Sequence, residues 1–157
     1  MKNIAVLFLA GILFAGALIG CSSEPAGPAG TASEIADKVF AESGVQPFGM
    51  TDVIDTEDKM NFYLGSTNYS DLADTAVIVP LINIDTRAAY VLKAKSVDEV
   101  ENILTQLNED VDPNRLICVS FSLEDVAIES RGDVIFMTIN SNVEQREALV
   151  TAFAGIE

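Results

Sequence analysis

An uninterrupted apolar run near the start of the chain determines how much of the sequence is left to fold into a globular domain. Residues 4–20 contain only Ala, Val, Leu, Phe, Ile and Gly, and Lys2 is the single charge before them. A short positive start, an apolar stretch and small residues at its end are typical of a secretory signal peptide, which is removed from the mature protein. An uncleaved membrane-spanning helix is the alternative, although 17 residues lie at the lower limit for crossing a bilayer. We therefore expect residues 1–20 to be a signal peptide.

The apolar run ends in the sequence Leu18-Ile19-Gly20-Cys21. This sequence resembles the lipobox of bacterial lipoproteins, which implies that Cys21 becomes the lipid-modified first residue after cleavage. Two acyl chains on one cysteine anchor a protein stably, whereas a single chain does not. The resemblance implies a protein that a lipid on Cys21 holds at the cell membrane, on its extracytoplasmic face.

The charge of the chain excludes some classes of partner. There are 9 Lys and Arg against 24 Asp and Glu, a net charge of −15. Removing Lys2 with the signal peptide leaves 137 residues with 8 basic and 24 acidic side chains, a net charge of −16. Nucleic acids and anionic membrane surfaces bind proteins through basic patches, so we expect neither as a partner.

The chain contains no histidine and no tryptophan. The lack of histidine excludes a histidine-based triad and a histidine zinc site. No Ser has a Lys three residues later, and Cys118 lies in the apolar run Leu116–Val119, where a thiol usually acts as a small core side chain. Paired carboxylates remain open, since there are 24 acids. We expect no catalytic site, no metal and no cofactor.

The remaining chain divides into a spacer and a domain. Residues 21–32 are small and punctuated by Pro and Gly, which predicts a flexible spacer. Residues 33–157 are enough for one modest core. Four helices are predicted within this part, three of them from capping boxes followed by apolar residues at helical spacing. The boxes are Thr31 with Glu34, Ser96 with Glu99 and Ser141 with Glu144, and the fourth helix spans about Thr56–Tyr63.

Strand predictions rest on segments that are rich in Val and Ile or alternate in polarity. They are Thr75–Asp85, Ala88–Lys95, Asp125–Ser130 and Val134–Ile139. A shift of 45 residues lays Ser96 on Ser141 and the second strand on the fourth, which suggests a duplicated strand–strand–helix unit. We predict an α+β two-layer sandwich with about four mainly antiparallel strands and with the helices on one face.

This order of elements resembles a family of small lipoproteins of Gram-positive bacteria that is known only as a domain of unknown function. The segments that carry the resemblance are Ala76–Ile82, Ala89–Lys95, Ser96–Leu107 and Arg131–Thr138. The chain departs from the family in being more acidic and in the apolar run at Leu116–Val119. The family has no known activity, so the resemblance implies no functional residues.

Two short motifs invite a functional interpretation. Residues 108–114 place oxygen ligands at alternating positions, as the start of a calcium loop does, but Arg115 and Phe121 stand where that loop needs Gly and Glu. We expect a solvated connection there. Arg131-Gly132-Asp133 spells an adhesion tripeptide, but Gly followed by Asp between two strands is first of all a turn.

Three aromatic residues, Phe62, Tyr63 and Tyr69, cluster in a stretch with little periodicity before the first predicted strand. Aromatics in such a stretch either cover the open edge of a small core or form a contact surface for a partner. Pro80 within the first strand implies an edge or a bulge, so a partner contact is expected at these aromatics and their junction with Pro80.

Together these observations predict a lipid-anchored extracytoplasmic module that binds an envelope protein or a small ligand and is not an enzyme. Two alternatives stay open. One is an enzyme that acts on envelope polymers through carboxylates or a bound metal, and the other is an accessory or inhibitor subunit of an envelope complex.

The Cys21→Ala substitution tests the predicted anchor. Cells that express the chain with radiolabelled fatty acid should label the natural sequence and not the variant, because only a thiol at the cleavage site accepts the lipid. Label retained by Cys21→Ala would refute the anchor.

Overall fold

The computed structural model describes residues 27–82, 84–114 and 119–157. The predictions for the signal peptide, for Cys21, for Cys118 and for the first part of the spacer lie outside these residues. Within them, no helix is both long enough and apolar enough to cross a membrane.

The described chain is α+β, as predicted, with four α-helices and five strands. They follow one another as α1 (Ala32–Ser43), β1 (Met50–Asp52), α2 (Glu57–Leu64), β2 (Leu72–Val79), β3 (Ala88–Ala94), α3 (Val100–Asp110), β4 (Val126–Arg131), β5 (Val134–Ile139) and α4 (Val143–Gly155). Short 3-10 turns at Val97–Glu99 and Leu123–Asp125 precede α3 and β4.

All strands belong to one antiparallel sheet in the order β1-β2-β3-β5-β4. The strand beyond the expected four is β1, which pairs Met50 with Val79 and Asp52 with Val77. Three residues are too few for alternation to show in the sequence. The first predicted strand is shifted: β2 begins at Leu72 and ends at Val79, because Pro80 has no N–H to donate to the sheet.

Helix ends follow the predicted capping residues in most cases. The Thr31 N–H donates to Glu34 Oε2 at 2.8 Å and the Glu34 N–H donates to Thr31 Oγ1 at 3.2 Å, which confirms the first box. The third box is wrong by one residue. Asn142, not Ser141, caps α4, and its side-chain oxygen accepts the Gln145 N–H at 3.1 Å.

Helices cover both faces of the sheet, so the expectation of helices on one face is wrong. Helices α1 and α4 pack on one face against Ala89, Val91, Phe136 and their neighbours. Helices α2 and α3 pack on the other, which presents Tyr90, Leu92, Ile135 and Met137 among others. The cause is in the sequence of β3 and β5. Each contains an apolar run without alternation, over Ala88–Leu92 and Val134–Met137, and a strand of that kind needs cover on both sides.

The two predicted strand–strand–helix units are not related by symmetry in the structure. The register of β3 on β5 keeps equivalent residues on the same face, since Ala89 and Val134 both lie towards α1 and α4. The helices that follow these strands, α3 and α4, lie on opposite faces.

The end of the predicted spacer lies against the domain. Pro28 is buried, and a Cβ on Gly27 would come within 2.6 Å of the Arg131 carbonyl oxygen. The Lys93 ammonium donates to Gly30 O at 2.8 Å, and the Ala32 N–H donates to Asp74 Oδ2 at 2.7 Å. Residues 27–31 therefore run beside the β4–β5 turn before α1 begins.

That turn contains the adhesion-like tripeptide. Gly132 has a positive φ of 55° in the two-residue connection from β4 to β5. The Arg131 guanidinium lies within hydrogen-bond distance of the carbonyl oxygens of Phe153, Ala154 and Ile156, at 3.0, 3.0 and 2.6 Å. A cation at the carboxyl end of α4 satisfies carbonyl groups that the helix leaves without partners.

Replacing Arg131 by Met should lower the free energy of unfolding by about 1–2 kcal/mol, because hydrogen bonds from a charged donor are lost. Urea denaturation measures the change. The stability of Arg131→Lys should lie between those of Arg131→Met and the natural chain, since one ammonium reaches fewer of the three carbonyls. Equal stability of Arg131→Met and the natural chain would contradict this role.

Candidate binding cleft

The structure brings three of the four predicted contact residues to one cleft. Phe62 and Tyr63 of α2 form one wall, and Pro80 begins the opposite wall. Tyr69 does not belong to the cleft. It is 1% exposed and its hydroxyl donates to Asp110 Oδ2 at 3.0 Å, so it is a core residue that holds the start of β2 to the end of α3.

The cleft has a volume of about 240 Å³ and lies at one end of the sheet. Its walls are α2, β1 and the connection between β2 and β3. Its floor includes Tyr90 of β3 and Ile139 of β5, together with Phe121 from the segment before β4. The site is therefore mainly apolar and is built from elements that are distant in sequence.

The rim of the cleft exposes an unusual amount of apolar surface. Phe62 is 60% exposed and Leu81 is 75% exposed. Met50 and Ile82 also line the cleft and are more than half exposed, and Ile84 follows in the same connection. Contiguous exposed apolar side chains of this kind mark interaction sites more often than single ones do.

Backbone constraints place these residues at the rim. Pro80 ends β2, so the following residues leave the sheet with their side chains outward. Gly49 lets β1 approach the end of β2, because a Cβ at that position would overlap the Val79 carbonyl group. That approach brings Met50 to the cleft. Met50 and Leu81 are not among the residues predicted from the sequence. The position of Met50 depends on the pairing of β1 with β2, for which Gly49 is the local signal, whereas Leu81 directly follows Pro80.

A polar network fixes the α2 wall. The Tyr63 hydroxyl donates to Asp52 Oδ2 at 2.8 Å, and the Lys59 ammonium lies 2.8 Å from Asp52 Oδ1 and 3.1 Å from Asp55 Oδ1. Hydrogen bonds from Lys59 and then Tyr63 hold the pKa of Asp52 below its usual value. Burial, followed by the hydrogen bond to Asp52, raises the pKa of Tyr63 to about 12. Tyr63 therefore stays protonated and keeps its ring in place.

The opposite wall carries an ion pair. The Arg87 Nε and Nη2 atoms donate to the Asp85 carboxylate, with Nη2 at 2.6 Å from Oδ2 and Nε at 3.0 Å from Oδ1. This bidentate pairing lowers the pKa of Asp85. The guanidinium carbon also lies 5.1 Å from the centre of the Phe48 ring. Because the pair is internally neutral, it orients the wall without adding net charge to the cleft.

The acidic segment 108–114 lies elsewhere. Asp110 accepts the Tyr69 hydroxyl, and Asp112 Oδ1 accepts the Asn114 N–H at 2.9 Å in a local turn. Across the described ranges, no three Asp, Glu or Cys side chains lie close enough to hold a metal ion.

No family model, no curated protein and no solved structure matches the chain. The resemblance to small lipoproteins of Gram-positive bacteria therefore stays a prediction, and the functional argument depends on the geometry of the cleft.

Removing the Asp52 carboxylate should destabilise the fold in a pH-dependent way. The pKa of Asp52 is lower in the folded state than in the unfolded state. Its carboxylate therefore stabilises the fold fully above the unfolded pKa of about 3.9, and this stabilisation is lost as the pH falls through the folded pKa. Asp52→Ala should lower the free energy of unfolding by about 1 kcal/mol at pH 7, and the difference from the natural chain should shrink below about pH 4.

Asp55→Ala is the matched control, because Asp55 forms an ion pair with the same lysine and is largely exposed. It should change the free energy of unfolding by less than about 0.5 kcal/mol at either pH. Denaturation curves at pH 7 and pH 3 make the comparison. A pH-independent loss in Asp52→Ala would contradict the assigned network.

Proposed function

We propose that the chain is a lipid-tethered, non-enzymatic binding module at the extracytoplasmic face of the cell membrane, and that the cleft is its binding site. The observation that carries the proposal is the concentration of exposed apolar side chains around one cleft whose walls are held by polar networks. An interaction surface of this kind combines rigid aromatic walls with an apolar rim.

The size of the cleft favours a protein partner over a small molecule. Pockets that enclose small ligands usually have volumes of about 300–1,000 Å³, whereas this cleft has about 240 Å³. Its rim continues outward along Leu81, Ile82 and Ile84. This geometry suits a partner that inserts one apolar side chain between Phe62 and Pro80 and rests on the surrounding rim.

The position of the cleft relative to the chain start supports the same proposal. Gly27 lies beside the β4–β5 turn, and the cleft lies at the other end of β5, beside Ile139. Six residues of strand separate these ends by about 20 Å. From a lipid on Cys21 to Gly27 the chain reaches at most about 20 Å. A tethered domain would thus keep the turn near the membrane and direct the cleft away from it, towards other envelope proteins.

Site-specific photo-crosslinking in intact cells tests the proposal. A photoreactive amino acid at Leu81 should give a discrete protein adduct, because this side chain is 75% exposed at the rim. The same group at Val143, which is 50% exposed at the start of α4, is the matched control and should give no such adduct.

A second substitution shows whether the cleft itself is responsible. Phe62→Ser removes an exposed wall residue, so it should leave the fold intact and reduce the Leu81 adduct at least fivefold. The proposal would be contradicted if the Leu81 and Val143 positions gave the same adducts, or if neither gave one.

A further inference from the structure

The second edge of the sheet has features that the cleft does not use. Strand β4 is the last strand in the sheet and pairs only with β5. Its six residues, Val126–Arg131, pair in unbroken register without a bulge, and they contain neither Pro nor Lys. The opposite edge strand, β1, has only three residues. Short strands, lysines, prolines and bulges are the usual means of blocking an open edge, so β4 is the less protected of the two.

The register shows which backbone groups of β4 are open. Arg131 and Val134 flank a two-residue turn, so they form a hydrogen-bonded pair, and such pairs recur at every second residue. The Asn140 N–H donates to Asp125 O at 2.9 Å. This bond belongs to the same alternating set of pairs, because Asp125 lies six residues before Arg131. The N–H and C=O groups of Ile128 and Ser130 therefore point away from β5, and no other strand of the described chain pairs with them.

A groove with both apolar and polar lining runs beside this edge, between β4 and α3. Leu104 of α3 lines both of its halves, which have volumes of about 460 and 510 Å³. Val126 and Ile128 form the strand side of one half. Leu123, at the end of the groove, is 62% exposed. A segment added to β4 could place every second side chain in this groove.

The charges along the groove favour a basic occupant. Asp98 and Glu101 line the half that begins beside the β4–β5 turn, and neither takes part in the ion pairs of the described chain. Among the described residues that line this half, Arg131 is the only cation, and its guanidinium is directed to the carboxyl end of α4. The overall net charge of −15 opposes a second copy of the chain at this edge.

We propose that the edge of β4 and the groove beside α3 form a second binding site, which takes an extended segment of another protein with apolar and basic side chains on one face, at every second residue. The segment would pair with Ile128 and Ser130 as a sixth strand and turn this face towards α3, with apolar side chains against Leu104 and Ile128 and basic side chains beside Asp98 and Glu101. Backbone pairing supplies the affinity in strand addition, and the groove supplies the selectivity.

The test uses the full lipid-anchored chain in nanodiscs of zwitterionic lipid and a fluorescent ten-residue peptide, Val-Thr-Val-Thr-Val-Thr-Lys-Thr-Lys-Thr, whose Val and Lys side chains share one face when it is extended. Fluorescence anisotropy should show saturable binding. Two control peptides separate the contributions. Replacing Lys by Glu, or methylating every second backbone nitrogen on the pairing edge, should each weaken binding at least tenfold. Equal affinity of the methylated peptide would overturn the proposal, because the binding would then be nonspecific attraction to an acidic surface.

Substitutions on the protein locate the site. Ser130→Pro removes an outward N–H without removing a bond to β5, and it should weaken binding at least tenfold, whereas Ser130→Ala keeps the N–H and should change it less than twofold. Leu123→Lys introduces a cation at an exposed position of the groove and should weaken binding at least fivefold even if the Pro variant fails to fold. Phe62→Ser should have no effect, since the cleft is a separate site.

Two results would show that the proposed segment does not bind at the edge of β4. Undiminished binding to Leu123→Lys would show that the peptide does not use the groove. Sedimentation of the natural chain as a dimer that Leu123→Lys dissociates would show that a second copy occupies it. Either result would overturn the proposal.

Discussion

The pair of central strands, β3 and β5, is the constraint on which the rest of the structure depends. Both strands are apolar on both faces, so the sheet can exist in water only if each face is covered. Helices α1 and α4 cover one face, and α2 and α3 cover the other. With both faces covered, the sheet itself is accessible at the ends of its strands and at its edges. The cleft lies at one end, and the groove beside α3 lies along one edge.

The two ends of the sheet differ in chemistry. At the end beside the β4–β5 turn, polar contacts tie residues 27–31 and the carboxyl end of α4 to the sheet, through Lys93 and Arg131. At the other end, β2 stops at Pro80 and the connection to β3 leaves apolar side chains exposed. Under the proposed tether on Cys21, the polar end of the sheet would lie towards the anchor, and the apolar end would be open to a partner.

The sequence predicted the elements better than their arrangement. Helices α1 and α2 follow from Thr31 and Thr56 as caps, and from glycines that end each helix in the left-handed region. The apolar runs of β3 and β5 are also evidence for cover on both faces, because a strand with one face in water alternates in polarity. For the site, Phe62, Tyr63 and Pro80 were predicted together, since irregular aromatic segments and a broken strand are local signals. Tyr69 could not be told apart from them, because its burial depends on packing against α3, a long-range contact that no local pattern encodes.

If the cleft binds a partner in the cell envelope, the backbone amides around it are protected from hydrogen exchange while that partner is present. Exchange is compared between the chain in its native membranes and the same chain purified into nanodiscs of zwitterionic lipid. We expect exchange in native membranes to be at least tenfold slower at residues 57–64, 81 and 82 and unchanged at residues 143–155. The same exchange rates around the cleft in both preparations would contradict it.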